Sequence, residues 1–96
     1  MDIKPRYTKI EKTIQTRYGT IVLEDPLGFP WAECNLYCVA KDGAIVWTAE
    51  KPEPSTLYSR VKLNENAITV STYTLSSHAC ELEPGTGKIL SKTSFM

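Results

Sequence analysis

The chain has 96 residues, 11 basic and 11 acidic side chains, one His and 42% hydrophobic residues. Such a length makes one small domain, 1–96, or two very small repeats, and surface scaling buries about 65% of the unfolded surface on folding. Zero net charge leaves no footprint for nucleic acid or an anionic membrane, and no apolar run approaches the ~20 residues of a membrane span.

Val, Ile and Thr supply 23 of the 96 residues, which favours pleated, half-buried surfaces. Ile3 to Ile14 has apolar residues at 3, 7, 10 and 14 and admits a short helix, against which stand Pro5 and the β-branched Thr8 and Thr13. After it the chain reads as strands between turn signals. Thr20–Leu23 is an apolar run closed by Asp25-Pro26-Leu27-Gly28. Asn35–Ala40 and Ala44–Ala49 flank Lys41-Asp42-Gly43, where Asp-Gly suits positive φ. The two prolines of Lys51-Pro52-Glu53-Pro54-Ser55 mark a connector. Leu57–Leu63 alternates, Asn64-Glu65-Asn66 turns, and Ala67–Thr74 follows. His78–Leu82 and Lys88–Thr93 flank the hairpin turn Glu83-Pro84-Gly85-Thr86-Gly87. Connections this short predict antiparallel neighbours.

Self-comparison places Tyr37–Trp47 over Ala79–Ser91, with Cys38 on Cys80 at a spacing of 42 and two extra turn residues in the second copy. Upstream, Gly19–Leu23 aligns with Asn66–Val70 at a spacing of 47, the longer 25–33 loop absorbing the difference. Four short strands per 42–47 residues is the signature of a propeller blade. The predicted architecture is therefore all-β: two four-stranded antiparallel blade-like sheets over 8–50 and 57–95, joined by 51–56. A small β-sandwich or barrel is the alternative.

Leu36-Tyr37-Cys38-Val39-Ala40-Lys41-Asp42-Gly43-Ala44-Ile45-Val46-Trp47, and the segments Asn66–Ser71 and Ala79–Leu90, resemble the repeats of PQQ-like (quinoprotein-type) β-propellers. The resemblance lies in a strand ending, a turn with Gly, and an apolar strand closing on Trp. The second copy has Ser91 in place of that Trp. The resemblance implies a blade-like fold; it does not imply the quinone cofactor, whose site needs a full ring and further residues not matched in this sequence, and no cofactor is expected. The expected cover of the two sheets is Trp47, Ile45, Ile21, Leu23, Ile68, Val70, Ile89, Leu36 and Leu82. Terminal repeats normally carry polar caps. None is legible here, so the outer faces are expected to stay apolar and to drive homo-oligomerisation.

Three cysteines, Cys34, Cys38 and Cys80, are an odd count for a disulfide framework, and no Asn-x-Ser/Thr sequon occurs. The opening MDIKPRYTKIEK lacks the apolar stretch of a secretory signal, so a cytoplasmic protein is expected. On a strand, Cys34 and Cys38 would stand about 13 Å apart, too far for one zinc or a disulfide. His78 and Cys80 share a strand face about 7 Å apart and lack a third ligand, so no metal is expected. Pro84-Gly85-Thr86-Gly87-Lys88 lacks the spacing and helix of a phosphate loop and reads as a turn. Ser76, Ser77 and His78 are adjacent, which suits a bend rather than a triad, and Glu81 and Glu83 read as a solvated edge. No catalytic set emerges.

The segment Asp25–Glu33 differs in kind. It carries Leu27, Phe29 and Trp31 between prolines, without a period that would bury them. If blades form, it shares a rim with the connector, and the three side chains are either a recognition loop or the cover of an open core end. The expected function is a non-enzymatic binding or scaffold protein that self-associates, with a protein partner possible. The alternative is a small-ligand or carbohydrate-binding module using Trp31, Phe29 and Tyr37 as stacking platforms. A catalytic propeller fragment is disfavoured by the scatter of acid, base and nucleophile.

Overall fold

Alternating β-branched and aromatic residues build eight strands in the computed structural model, which describes residues 3–64 and 69–94. They are β1 (Ile10–Thr16), β2 (Gly19–Glu24), β3 (Leu36–Val39), β4 (Ile45–Thr48), β5 (Tyr58–Leu63), β6 (Val70–Thr74), β7 (His78–Leu82) and β8 (Ile89–Ser94). They pair in chain order as two antiparallel four-stranded sheets, β1-β2-β3-β4 and β5-β6-β7-β8. The protein is thus all-β, and its sheets are open rather than closed into a barrel. Among the described residues no helix is long and apolar enough to cross a membrane.

The segment Ile3–Ile14, whose spacing admits a helix, forms none, and from Ile10 it runs as strand β1. Its register slips between Ile10 and Lys12, so Glu11 is an extra residue in the ladder with β2. That bulge turns Ile10 to one face of the sheet and Ile14 to the other. The same device recurs in the second sheet between Tyr58 and Arg60, and the β3–β4 and β7–β8 ladders each carry one more. The pairing also revises the internal alignment. Ile21 stands opposite Cys38 and Thr72 opposite Cys80, so the partner of Ile21 in the second sheet is Thr72, not Ile68. Ile68, Ala67 and the turn residues Glu65 and Asn66 lie outside the described residues.

One core lies between the sheets. Ile21, Leu23, Leu36, Cys38 and Trp47 from the first meet Tyr58, Val61, Val70, Cys80 and Leu82 from the second. Ile14, Leu63 and Ile89 pack at its margin. Ile45, expected in the core, is instead about half exposed (48%), because the bulge at Val46 tips it off the inner face.

The outer faces depart from expectation, and for physical reasons. The first sheet's outer face, built on Val22, Tyr37 and Val39, is covered by the chain itself, with Ile3 and Ile10 packed against it. The second sheet's outer face is polar: Arg60, Lys62, Glu81, Ser91 and Thr93 are exposed along it. Neither face is the bare apolar surface that made self-association seem necessary.

Trp47 locks the far end. Its indole Nε1 donates to Pro84 O at 3.0 Å in the β7–β8 hairpin, and its ring packs against Gly87. A Cβ at Gly87 would come within 2.3 Å of the ring, and φ there is +73°. Trp47→Ala should cost about 3–5 kcal/mol. Gly87→Ala should cost about 2–3 kcal/mol through clash and left-handed strain. Denaturant unfolding measures both, and equal losses at an exposed control such as Lys41→Ala would show that Trp47 is no anchor.

Candidate functional site

The β2–β3 loop, residues 25–35, leaves the first sheet beside the β4–β5 connector, and backbone and side-chain bonds fix its course. Asp25 Oδ1 accepts from Leu27 N at 2.9 Å, Pro26 O from Phe29 N at 3.2 Å, and Pro30 O from Glu33 N at 3.1 Å. The Lys51 ammonium donates to three carbonyls, Trp31 O (2.8 Å), Glu33 O (2.9 Å) and Pro54 O (2.8 Å), and so ties the loop to the connector. Arg6 closes the other side with an ion pair to Glu33 at 3.0 Å.

The three loop side chains separate. Phe29 is buried, 2% exposed, edge-on to Tyr7 with ring centroids 5.1 Å apart. Leu27 is 83% exposed and Trp31 56% exposed. Phe29 therefore anchors the loop, while Leu27 and Trp31 are presented outward. The expected stacking platform of Trp31, Phe29 and Tyr37 is not formed. Tyr37 is also buried, under the segment that precedes β1, with its hydroxyl on Glu24.

Glu24 was not singled out from the sequence, yet it organises this end of the first sheet. Fully buried at the end of β2, its carboxylate accepts from the backbone N–H groups of Arg6 (2.6 Å), Tyr7 (3.0 Å) and Thr8 (2.9 Å). The Thr8 hydroxyl (3.4 Å) and the Tyr37 hydroxyl (2.5 Å) donate to it as well. Burial alone would raise its pKa, but the donated bonds outweigh burial and hold it below the ordinary value. Tyr37 moves the opposite way, raised by burial and by its bond to that carboxylate. An acidic residue at a strand end gave no sequence sign that three successive N–H groups would close on it.

On the second sheet, the β6–β7 turn holds a hydroxyl cluster. Ser76 Oγ donates to Thr56 Oγ1 at 2.8 Å and lies 3.1 Å from Thr74 Oγ1 and 3.2 Å from His78 Nδ1. Ser77 adopts φ of 66°. The Ser–His contact lacks the further element of a triad, since among the described residues no carboxylate is bonded to His78, and the hydroxyls serve to close the turn onto the connector. All three cysteines are buried and unpaired, and burial pushes each thiol pKa up, which suppresses the reactive thiolate. Among the described residues no group of three His, Cys, Asp or Glu converges on a metal position. Glu81 and Glu83 are exposed.

No family model matches the chain, and neither a curated protein nor a solved structure is found to resemble it.

Glu24 makes the rim sensitive to acid. A carboxylate whose folded pKa lies below its unfolded value near 4.5 contributes stability that is complete above that value and lost as pH falls through the folded one. Glu24→Gln keeps the shape but sets an amide donor against N–H groups, and should cost about 1–3 kcal/mol at neutral pH. The gap between wild type and variant should narrow as pH falls below 4.5 toward the lowered folded value. Urea titrations from pH 3 to pH 7 measure this, and a gap independent of pH would show that the carboxylate charge is not what holds the segment.

Proposed function

We propose that the protein is a non-enzymatic binding protein whose recognition element is the β2–β3 loop, presenting Leu27 and Trp31 to a protein partner. The observation that carries this reading is the Lys51 ammonium, committed to three carbonyls so as to fix a loop whose two largest outward side chains stay in water. Pre-ordering lowers the entropic cost of docking, and an exposed Trp is a side-chain type enriched among interface anchors. Burial of Phe29 and Tyr37 favours a protein partner over a sugar, which would use a broader aromatic platform.

The two stacked sheets are read as a pair of PQQ-like propeller blades. The repeated strand order, and bulges in the same two ladders of each sheet, support that likeness. Self-association belongs to the same reading, now through the exposed rim or the sheet edges rather than through bare outer faces. A cytoplasmic setting is supported by three buried, unpaired thiols.

Affinity capture with wild type and with a Leu27→Ser/Trp31→Ala double variant tests the reading. Both side chains are exposed, so the melting temperature should stay within the small range typical of surface changes. A protein retained by wild type should rebind in purified form and lose at least about tenfold in affinity for the variant. Identical capture profiles, or equal affinities in the purified pair, would overturn the assignment of the loop.

A further inference from the structure

The edge strands β1 and β5 come together where the two sheets meet, and a cleft of about 370 Å³ opens between them. Its lining differs from the rest of an electroneutral chain. The cleft is bordered by Leu23 and Val61, both buried, and by three cations, Lys12, Arg60 and Lys62. The half-exposed ring of Tyr73 and the hydroxyls of Ser59 and Ser71 complete it.

Two features mark the cleft as built rather than incidental. Each strand carries a β-bulge at this point, between Ile10 and Lys12 on β1 and between Tyr58 and Arg60 on β5. The extra residues Glu11 and Ser59, with Lys12 and Arg60 beside them, all line the cleft. Bulges re-aim side chains, and two of them facing one opening is the arrangement expected of a site. In addition, Lys12 reaches across the gap and donates to Val61 O at 3.0 Å, so its ammonium is held at the cleft. The one carboxylate there, Glu11, is paired with Lys9 at 3.4 Å. Among the described residues neither Arg60 nor Lys62 has a carboxylate partner.

From this arrangement we infer that the β1–β5 cleft binds a small organic anion, a phosphate or carboxylate carried on an apolar or aromatic body. The cations receive the charge and the body rests against the Tyr73 ring, while the Ser59 and Ser71 hydroxyls, which donate to Tyr73 O and Asn64 Oδ1 at 3.2 Å each, border the site as acceptors. The volume lies in the range of small-molecule pockets, and a few convergent polar groups over an apolar base are their usual composition. The site uses neither Leu27 nor Trp31, so it stands or falls separately from the loop reading.

Titration of the full chain with phenyl phosphate, benzoate, inorganic phosphate and phenol, followed by amide chemical shifts, tests the inference. Phenyl phosphate or benzoate should shift the amides of Lys12, Ser59, Arg60 and Lys62, saturably and less strongly as salt rises. Inorganic phosphate should bind at least about tenfold more weakly, and phenol should leave those amides unmoved. An Arg60→Ala/Lys62→Ala variant, both positions being exposed, should keep its melting temperature and lose about tenfold or more in affinity for the anion that binds. Absence of saturable shifts with either organic anion, or an unchanged affinity in the double variant, would overturn the site. Equal binding of inorganic phosphate and phenyl phosphate, or binding of phenol, would overturn the ligand class. Whichever of phenyl phosphate and benzoate binds more tightly identifies the charged group.

Discussion

A buried amide pins the two halves of this protein together. Asn35, at the end of the β2–β3 loop, is wholly buried. Its Nδ2 donates to Glu24 O and to Tyr58 O, each at 2.7 Å, and its Oδ1 accepts from Tyr58 N at 2.9 Å. The side chain behaves as an inserted peptide group, pairing the end of β2 in the first sheet with the start of β5 in the second. Buried backbone groups must be paired, and this one side chain supplies three bonds at the junction. Sheet stacking, the exit of the rim loop and the closeness of β1 to β5 all follow from it.

Around that joint, charged groups act as local organisers rather than as surface decoration. Glu24 gathers the chain before β1 onto the first sheet, Lys51 gathers the loop onto the connector, and Glu50 links connector to hairpin. The Glu50 carboxylate accepts from Ile89 N at 2.9 Å, its N–H donates to Gly87 O at 2.9 Å, and its carbonyl accepts from the Tyr58 hydroxyl. A core this thin leaves little margin, and such bonds are worth most where they satisfy groups that burial would otherwise strand. Among the described residues no buried side-chain nitrogen or oxygen lacks a partner.

The strands and their order were legible because turn residues punctuate the chain clearly. The Asp42-Gly43 turn closes as expected, with Gly43 at φ of 90° and Ala40 N on Ala44 O at 2.8 Å. What escaped the sequence reading has specific causes. Ile10 and Ile14 are spaced as on one helix face, but a bulge sends them to opposite faces of a strand. After Val70 the inner face of β6 is made of Thr72 and Thr74, whose hydroxyls serve Cys80 O and His78 N, so little apolar signal marked its register against β2. A match of apolar letters therefore settled four residues too early. The loop was recognisable, but not its division into one anchor and two presented side chains. Tyr7, which receives Phe29, lies 22 residues earlier in a stretch with no pattern of its own.

Native-state hydrogen exchange on wild type and on Asn35→Ala tests the central claim, that the two sheets form one cooperative unit pinned at this amide. Removing the side chain leaves three buried backbone groups unpaired, a loss of about 3 kcal/mol or more. Protection should fall by a similar amount in β2 and β3 and in β5, β6 and β7, because the sheets share their core and open together. Loss confined to the first sheet, with β5–β7 keeping full wild-type protection, would contradict the account and make the two sheets independent units.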